Sequence, residues 1–105
     1  MKNEVINALL TRRSCKSYTA QMPSDDELQT IANAGLYAPS GMNKQSAIMV
    51  CVTNKKIRDT LSKLNAQVMN STSDPFYGAP AVIAVLADTS SALYVQDASL
   101  VMENL

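Results

Sequence analysis

Two short polar segments hold most of the residues able to do chemistry. In Arg12-Arg13-Ser14-Cys15-Lys16, three cations and a hydroxyl fall within five positions. Such a cluster can surround a phosphate: arginine offers a two-pronged fork, lysine a point charge and serine a hydrogen bond. The same residues also suit a solvated loop after a helix, where cations favour the negative end of the dipole. The second segment is Pro39-Ser40-Gly41-Met42-Asn43-Lys44-Gln45. Its Ser, Asn and Gln side chains can read the donors and acceptors on the edge of a heterocycle. Its composition is equally that of an ordinary helix-to-strand turn. A third segment, Pro75-Phe76-Tyr77-Gly78-Ala79-Pro80, either walls a pocket with its aromatic pair or simply turns the chain over the core.

What is absent narrows the chemistry further. There is no His, which excludes a Ser-His-Asp triad and histidine metal ligands. The two cysteines, Cys15 and Cys51, are too few for a zinc module and suit a reducing compartment with free thiols. Cys15 has no base beside it in sequence, and Cys51 lies in an apolar run and reads as core. Gly35, Gly41 and Gly78 stand far apart, so there is no glycine-rich phosphate loop. The longest apolar run, Ala79–Ala87, is about half of what a membrane helix needs. No signal-peptide pattern opens the chain, and a cytoplasmic location is expected. The net charge of zero hides an asymmetry. All nine basic residues lie in 1–63, which carries +4, and residues 64–105 carry −4. The basic part lacks the dense Lys/Arg runs and interleaved aromatics of a nucleic-acid binder, and a site for one small anion fits it better.

The elements that must position these segments can be read from apolar spacing and caps. At 105 residues the chain is one domain, shorter than the usual length of roughly 150. The spacing predicts a helix over 3–11, with Val5, Ile6, Leu9 and Leu10 on one face. Ser24-Asp25-Asp26-Glu27 is a capping box opening a second helix with Leu28, Ile31, Ala32 and Leu36 inside, which must stop before Ala38-Pro39. Residues 46–53 read as a strand. Asn54 caps a third helix over 55–69 with Ile57, Leu61, Leu64 and Val68 inside. Residues 81–87 read as a second strand. Ser90 or Ser91 opens a fourth helix with Tyr94, Ala98, Val101, Met102 and Leu105 inside. The order is α-α-β-α-β-α. Both strands are apolar on both faces and so expect cover on both. Two strands alone make a poor sheet, and the last helix lacks a C-terminal stop. The 1–105 domain therefore reads as truncated at its C-terminal side.

Taken in order, the segments resemble the nitroreductase family of flavin enzymes. Arg12-Arg13-Ser14-Cys15-Lys16-Ser17-Tyr18 is similar to that family's opening signature. Ala38-Pro39-Ser40-Gly41-Met42-Asn43-Lys44-Gln45 is similar to its second. Phe76-Tyr77-Gly78-Ala79-Pro80, the strand that follows, Asp97 and Glu103-Asn104-Leu105 are similar to its third. The resemblance implies an α+β fold with helices around a central sheet, and a homodimer with FMN at its interface. It also implies transfer of reducing equivalents from NAD(P)H through the flavin to nitroaromatic, quinone or similar acceptors. On the same ground Arg12, Arg13, Ser14 and Lys16 would hold the FMN phosphate and ribityl chain. Pro39, Ser40, Asn43 and Gln45, from the other subunit, would border the isoalloxazine ring, and Asn65 or Asn70 would reach its pyrimidine edge. No side chain is expected as an acid or base. The match is to the N-terminal half of such proteins. The competing reading is a truncated, non-catalytic module that associates with itself and binds little or no flavin.

Overall fold

Among the described residues, three of the four α-helices begin where a side chain takes up the first free N–H groups. A computed structural model describes residues 2–105, in the order α1 (Glu4–Thr11), α2 (Asp25–Leu36), β1 (Ile48–Val52), α3 (Lys55–Val68), β2 (Val82–Leu86) and α4 (Tyr94–Asn104). Asn3 accepts from the Ile6 N–H and Asn54 from the Ile57 N–H. At α2 both halves of the expected capping box form: Glu27 N–H donates to Ser24 Oγ at 3.2 Å, and Ser24 N–H donates to the Glu27 carboxylate at 2.8 Å. The fourth start differs from expectation. Asp88 accepts from both the N–H and the hydroxyl of Ser90, so Ser90 is spent in a turn and α4 begins at Tyr94 without a side-chain cap.

Among the described residues β1 and β2 form a two-stranded antiparallel sheet, with Val50 opposite Ala84 and Val52 opposite Val82. Helix α4 packs on β2 and on α2. Near its end, Asn104 donates to the Ala34 carbonyl at 3.0 Å. Gly35 of α2 lies where an added methyl would meet Met49 of β1 and Leu105, so the bare backbone there lets three segments close together. The expectation of strands covered on both faces is not met. Val52 is buried, while Ile48, Val50 and Cys51 are exposed and β2 is half-buried. With few elements to cover it, an apolar strand stays open to solvent whatever its sequence. The chain exposes 8278 Å², against about 5,700 Å² expected for a compact protein of its mass. Its radius of gyration is 15.4 Å, against about 13 Å expected for its length.

Helix α3 corrects a second expectation. Ile57, Leu64 and Val68 are exposed, and the packed face is Arg58, Ser62 and Ala66. The cause is a charge. Arg58 is 8% exposed; its guanidinium donates through Nε to the Ala79 carbonyl at 2.8 Å and through Nη2 to Asp74, and lies 5.4 Å from the centre of the Phe76 ring. Asp74 also accepts from Ser62 Oγ and from the N–H groups of Phe76 and Gly78. Four donors on one carboxylate tie α3 to the loop that feeds β2. A buried arginine without such partners would be strongly destabilising, and these contacts are what make its burial tolerable.

Arg58 first, then Ser62 and the two backbone N–H groups, hold the Asp74 carboxyl well below the usual range, against the opposing pull of desolvation. A carboxyl lowered on folding stabilises above its ordinary value near 3.8, and that stability fades as pH falls below it. Asp74→Asn is therefore expected to cost about 2 kcal/mol at neutral pH. The gap from the parent protein should narrow on acidification. Urea unfolding across a pH series measures both, and a gap that persists undiminished in acid would contradict the network.

Candidate functional site

The basic loop follows directly from the end of α1. Arg12 is the residue at which the helix stops, and its guanidinium lies 3.8 Å from Glu103 near the end of α4. Arg13 turns back, and its Nη1 donates to the carbonyls of Leu10 and Arg12. It thereby satisfies the helix's last carbonyls. Ser14 and Lys16 are exposed. Tyr18 closes the loop by donating to the Cys15 carbonyl at 2.9 Å. At 3.8 Å between exposed groups, the Arg12–Glu103 pair is weak, so two arginines and a lysine stay available to an anion.

The second segment is a tight turn between α2 and β1. Ser40 Oγ accepts from the Gln45 N–H at 2.8 Å, and Gln45 Nε2 donates to Asn43 Oδ1 at 3.0 Å. Met42, Asn43 and Gln45 all have positive φ, at 53°, 53° and 50°. Left-handed backbone at three non-glycine residues stores strain that the surroundings must offset. The hydrogen bond between the two amides fixes their orientation and leaves the other polar atom of each for a ligand. Pro39, Ser40 and Gln45 line a cleft of about 400 Å³ with Ala38, Met49, Asp97 and Val101. None of Arg12, Arg13, Ser14 and Lys16 lines it.

The two segments are thus held at opposite ends of α4. Gly41 abuts Leu93 at its start, and Arg12 reaches Glu103 near its finish. The ten helical steps from Leu93 to Glu103 set them about 15 Å apart along the axis. The two asparagines considered above differ in character. Asn65 is exposed on α3. Asn70, with φ 51°, stops that helix: its N–H bonds to the Gln67 carbonyl and that of Ser71 to the Ala66 carbonyl. This is the left-handed stop that Asn tolerates better than any residue but Gly.

A model of known families matches residues 9–105 and is described as the nitroreductase family. The chain belongs to that family. An NAD(P)H nitroreductase-type protein of Archaeoglobus fulgidus is 31% identical over 107 residues, covering 97% of this chain and 59% of its own length. An FMN reductase [NAD(P)H] of Bacillus subtilis is 36% identical over 62 residues, covering 59% of this chain and 25% of that protein. Among solved structures, an FMN-bound nitroreductase of Bacteroides fragilis superposes with a TM-score of 0.87 at 25% identity, covering 98% of this chain and 62% of that one. An FMN-bound nitroreductase of Desulfitobacterium hafniense gives 0.85 at 30% identity, covering 99% and 63%. The chain therefore spans no more than about three-fifths of the length of these relatives, and its α+β fold is part of the nitroreductase fold.

Two long-range contacts of this chain escape a reading of the sequence. Asp97 reaches the Gly41 N–H across 56 positions, and Arg58 reaches Asp74. Asp97 had left a signal, because an acid stood inside the apolar stripe of α4, three residues after Tyr94 and four before Val101. Arg58 had left none, since helical spacing favours the opposite face of α3. Asn70 yields a sharp expectation. Asn70→Gly should hold stability within about 0.5 kcal/mol, and Asn70→Val should lose about 1–2 kcal/mol through strain at positive φ. Thermal melts of the two variants decide this; equal losses would mean that the side chain, not the backbone, matters there.

Proposed function

We propose that this chain forms the flavin-holding part of an FMN-dependent, NAD(P)H-linked oxidoreductase. One observation carries the reading: nearly the whole chain shares its fold with two FMN-bound nitroreductases. Bound FMN would supply the electron-carrying chemistry, taking reducing equivalents from NAD(P)H and passing them to a nitroaromatic, quinone or similar acceptor.

The residues present fit such a group. Arg12, Arg13, Ser14 and Lys16 offer forked, point and hydroxyl donors to a phosphate on an exposed loop. Arg13 holds the end of α1 with one nitrogen and keeps its other donors. Pro39 and Ser40 shape the turn, while Asn43 and Gln45 present amide atoms of both polarities to a ring edge. Asn65 or Asn70 would reach that edge; the helix stop at Asn70 uses only backbone groups and leaves its side chain free for the role.

A second copy of the chain is part of this reading, with each subunit's turn completing the other's site. The excess surface of about 2,500 Å² matches what one partner hides in a large, obligate interface. Helix α1 carries Val5, Leu9 and Leu10 exposed and buries no residue, so its apolar face is free for such a partner. The unpaired thiols of Cys15 and Cys51 suit a reducing compartment and hence the cytoplasm.

Lys16→Ala and Arg12→Ala should each weaken FMN binding about tenfold, the loss of one charge-assisted hydrogen bond. Binding of riboflavin, which lacks the phosphate, should barely change. Flavin fluorescence quenching reads both ligands, and equal losses for the two would remove the basic loop from the phosphate. Failure of the parent chain to bind FMN at all would favour a non-catalytic, self-associating module. Sedimentation at micromolar concentration should give twice the 11.3 kDa chain mass. Leu9→Asp should shift it towards one, and a monomeric parent chain would overturn the dimer.

A further inference from the structure

Asp97 is 4% exposed, less than Leu28 or Val52 in the apolar core. Among the described residues no basic side chain pairs with it; the ion pairs of the chain involve Glu103, Asp59 and Asp74. Its Oδ1 accepts from the Gly41 N–H at 2.9 Å, and its Oδ2 is buried without a partner. Burying a carboxylate on a single N–H donor is costly, and an apolar residue of similar size would stabilise the helix packing better. Its placement is therefore explained by what it holds rather than by the stability of the core.

What it holds is the start of the turn with three left-handed residues, Met42, Asn43 and Gln45. At roughly 1–3 kcal/mol each, such conformations persist only when neighbours enforce them. Two independent contacts press this turn against α4. One is the Asp97 bond. The other is Gly41, where an added Cβ would lie 2.5 Å from Leu93 Cδ1, so any larger residue must push the Leu93 side chain aside. Asp97 and Ser46 both line the cleft beside the turn, and the Ser46 hydroxyl is also buried and unpartnered. The cleft thus keeps two acceptor oxygens for a further donor.

We propose that Asp97 is the positioning residue of the Ser40–Gln45 turn, fixing Asn43 and Gln45 through the Gly41 N–H. The link to flavin rests on the functional reading above. The role itself concerns the turn and is measurable without ligand. The test is amide hydrogen exchange, by NMR, on the flavin-free 105-residue chain and its Asp97→Ala, Asp97→Asn and Gly41→Ala variants. FMN affinity is read in parallel from fluorescence quenching.

Loss of one charge-assisted bond should raise exchange across Gly41–Ser46 about tenfold in Asp97→Ala, and leave α3 around Arg58 unchanged. Asp97→Asn retains an acceptor and should stay within about threefold of the parent at the same amides. Gly41→Ala, which must push Leu93 aside, should loosen the same stretch. FMN affinity should fall about tenfold in Asp97→Ala and recover in Asp97→Asn. Unchanged exchange in the turn overturns the proposal. So does a rise spread evenly over all helices in both Asp97 variants, which marks a general prop of the core. If Asp97→Ala fails to fold, Asp97→Asn and Gly41→Ala carry the same comparison. Loosening confined to the turn, with no FMN bound by any of the proteins, supports the positioning role and removes the flavin reading.

Discussion

The structure depends on neutralising one buried cation. Arg58 sits among half-buried residues, and water cannot solvate it there. Its charge is met by Asp74, whose carboxylate also gathers the Ser62 hydroxyl and the N–H groups of Phe76 and Gly78. This knot fixes the rotation of α3 about its own axis. Once Arg58 and Ser62 point inward, Ile57, Leu64 and Val68 must point outward. It also fixes where the 74–80 loop delivers the chain to β2, and through β2 the register of β1. β1 in turn receives the turn that carries Ser40, Asn43 and Gln45.

Helix α4 then acts as a ruler. One end meets the turn through Leu93 and Asp97, and the other meets α1 and α2 through Glu103 and Asn104. The basic loop and the Ser40–Gln45 turn therefore have a defined separation within one chain. Within one chain the two segments do not line a common cleft.

Local signals were legible wherever a few adjacent residues decide the outcome. The capping box at Ser24, the Asn54 cap and the block at Ala38-Pro39 each form as their residue types require. Signals that depend on distant partners were not. Periodicity ranks faces by hydrophobicity, so on α3 it pointed to a stripe of which only Leu61 is half-buried, while the packed Arg58 and Ser62 are polar and give no periodic signal. It placed Cys51 in the core because an apolar strand ordinarily has cover, and the exposed sheet has little. Both loops of the candidate site stood out by residue type. Their placement at the two ends of α4 is a tertiary fact, with only the lone acid Asp97 in an apolar stripe to hint at it.

The antiparallel pairing of β1 and β2 has a further consequence. Such a ribbon is all edge: each strand gives one side to its neighbour and leaves a row of N–H and C=O groups on the other. Neither Ile48–Val52 nor Val82–Leu86 contains a charge or a proline, the devices that ordinarily discourage strand addition. Both edges are thus templates, and which strand reaches them first decides between ordered growth of the sheet and stacking of one ribbon on the next. Open edges of this kind make strand addition depend on concentration, because each new pairing is a meeting of two chains.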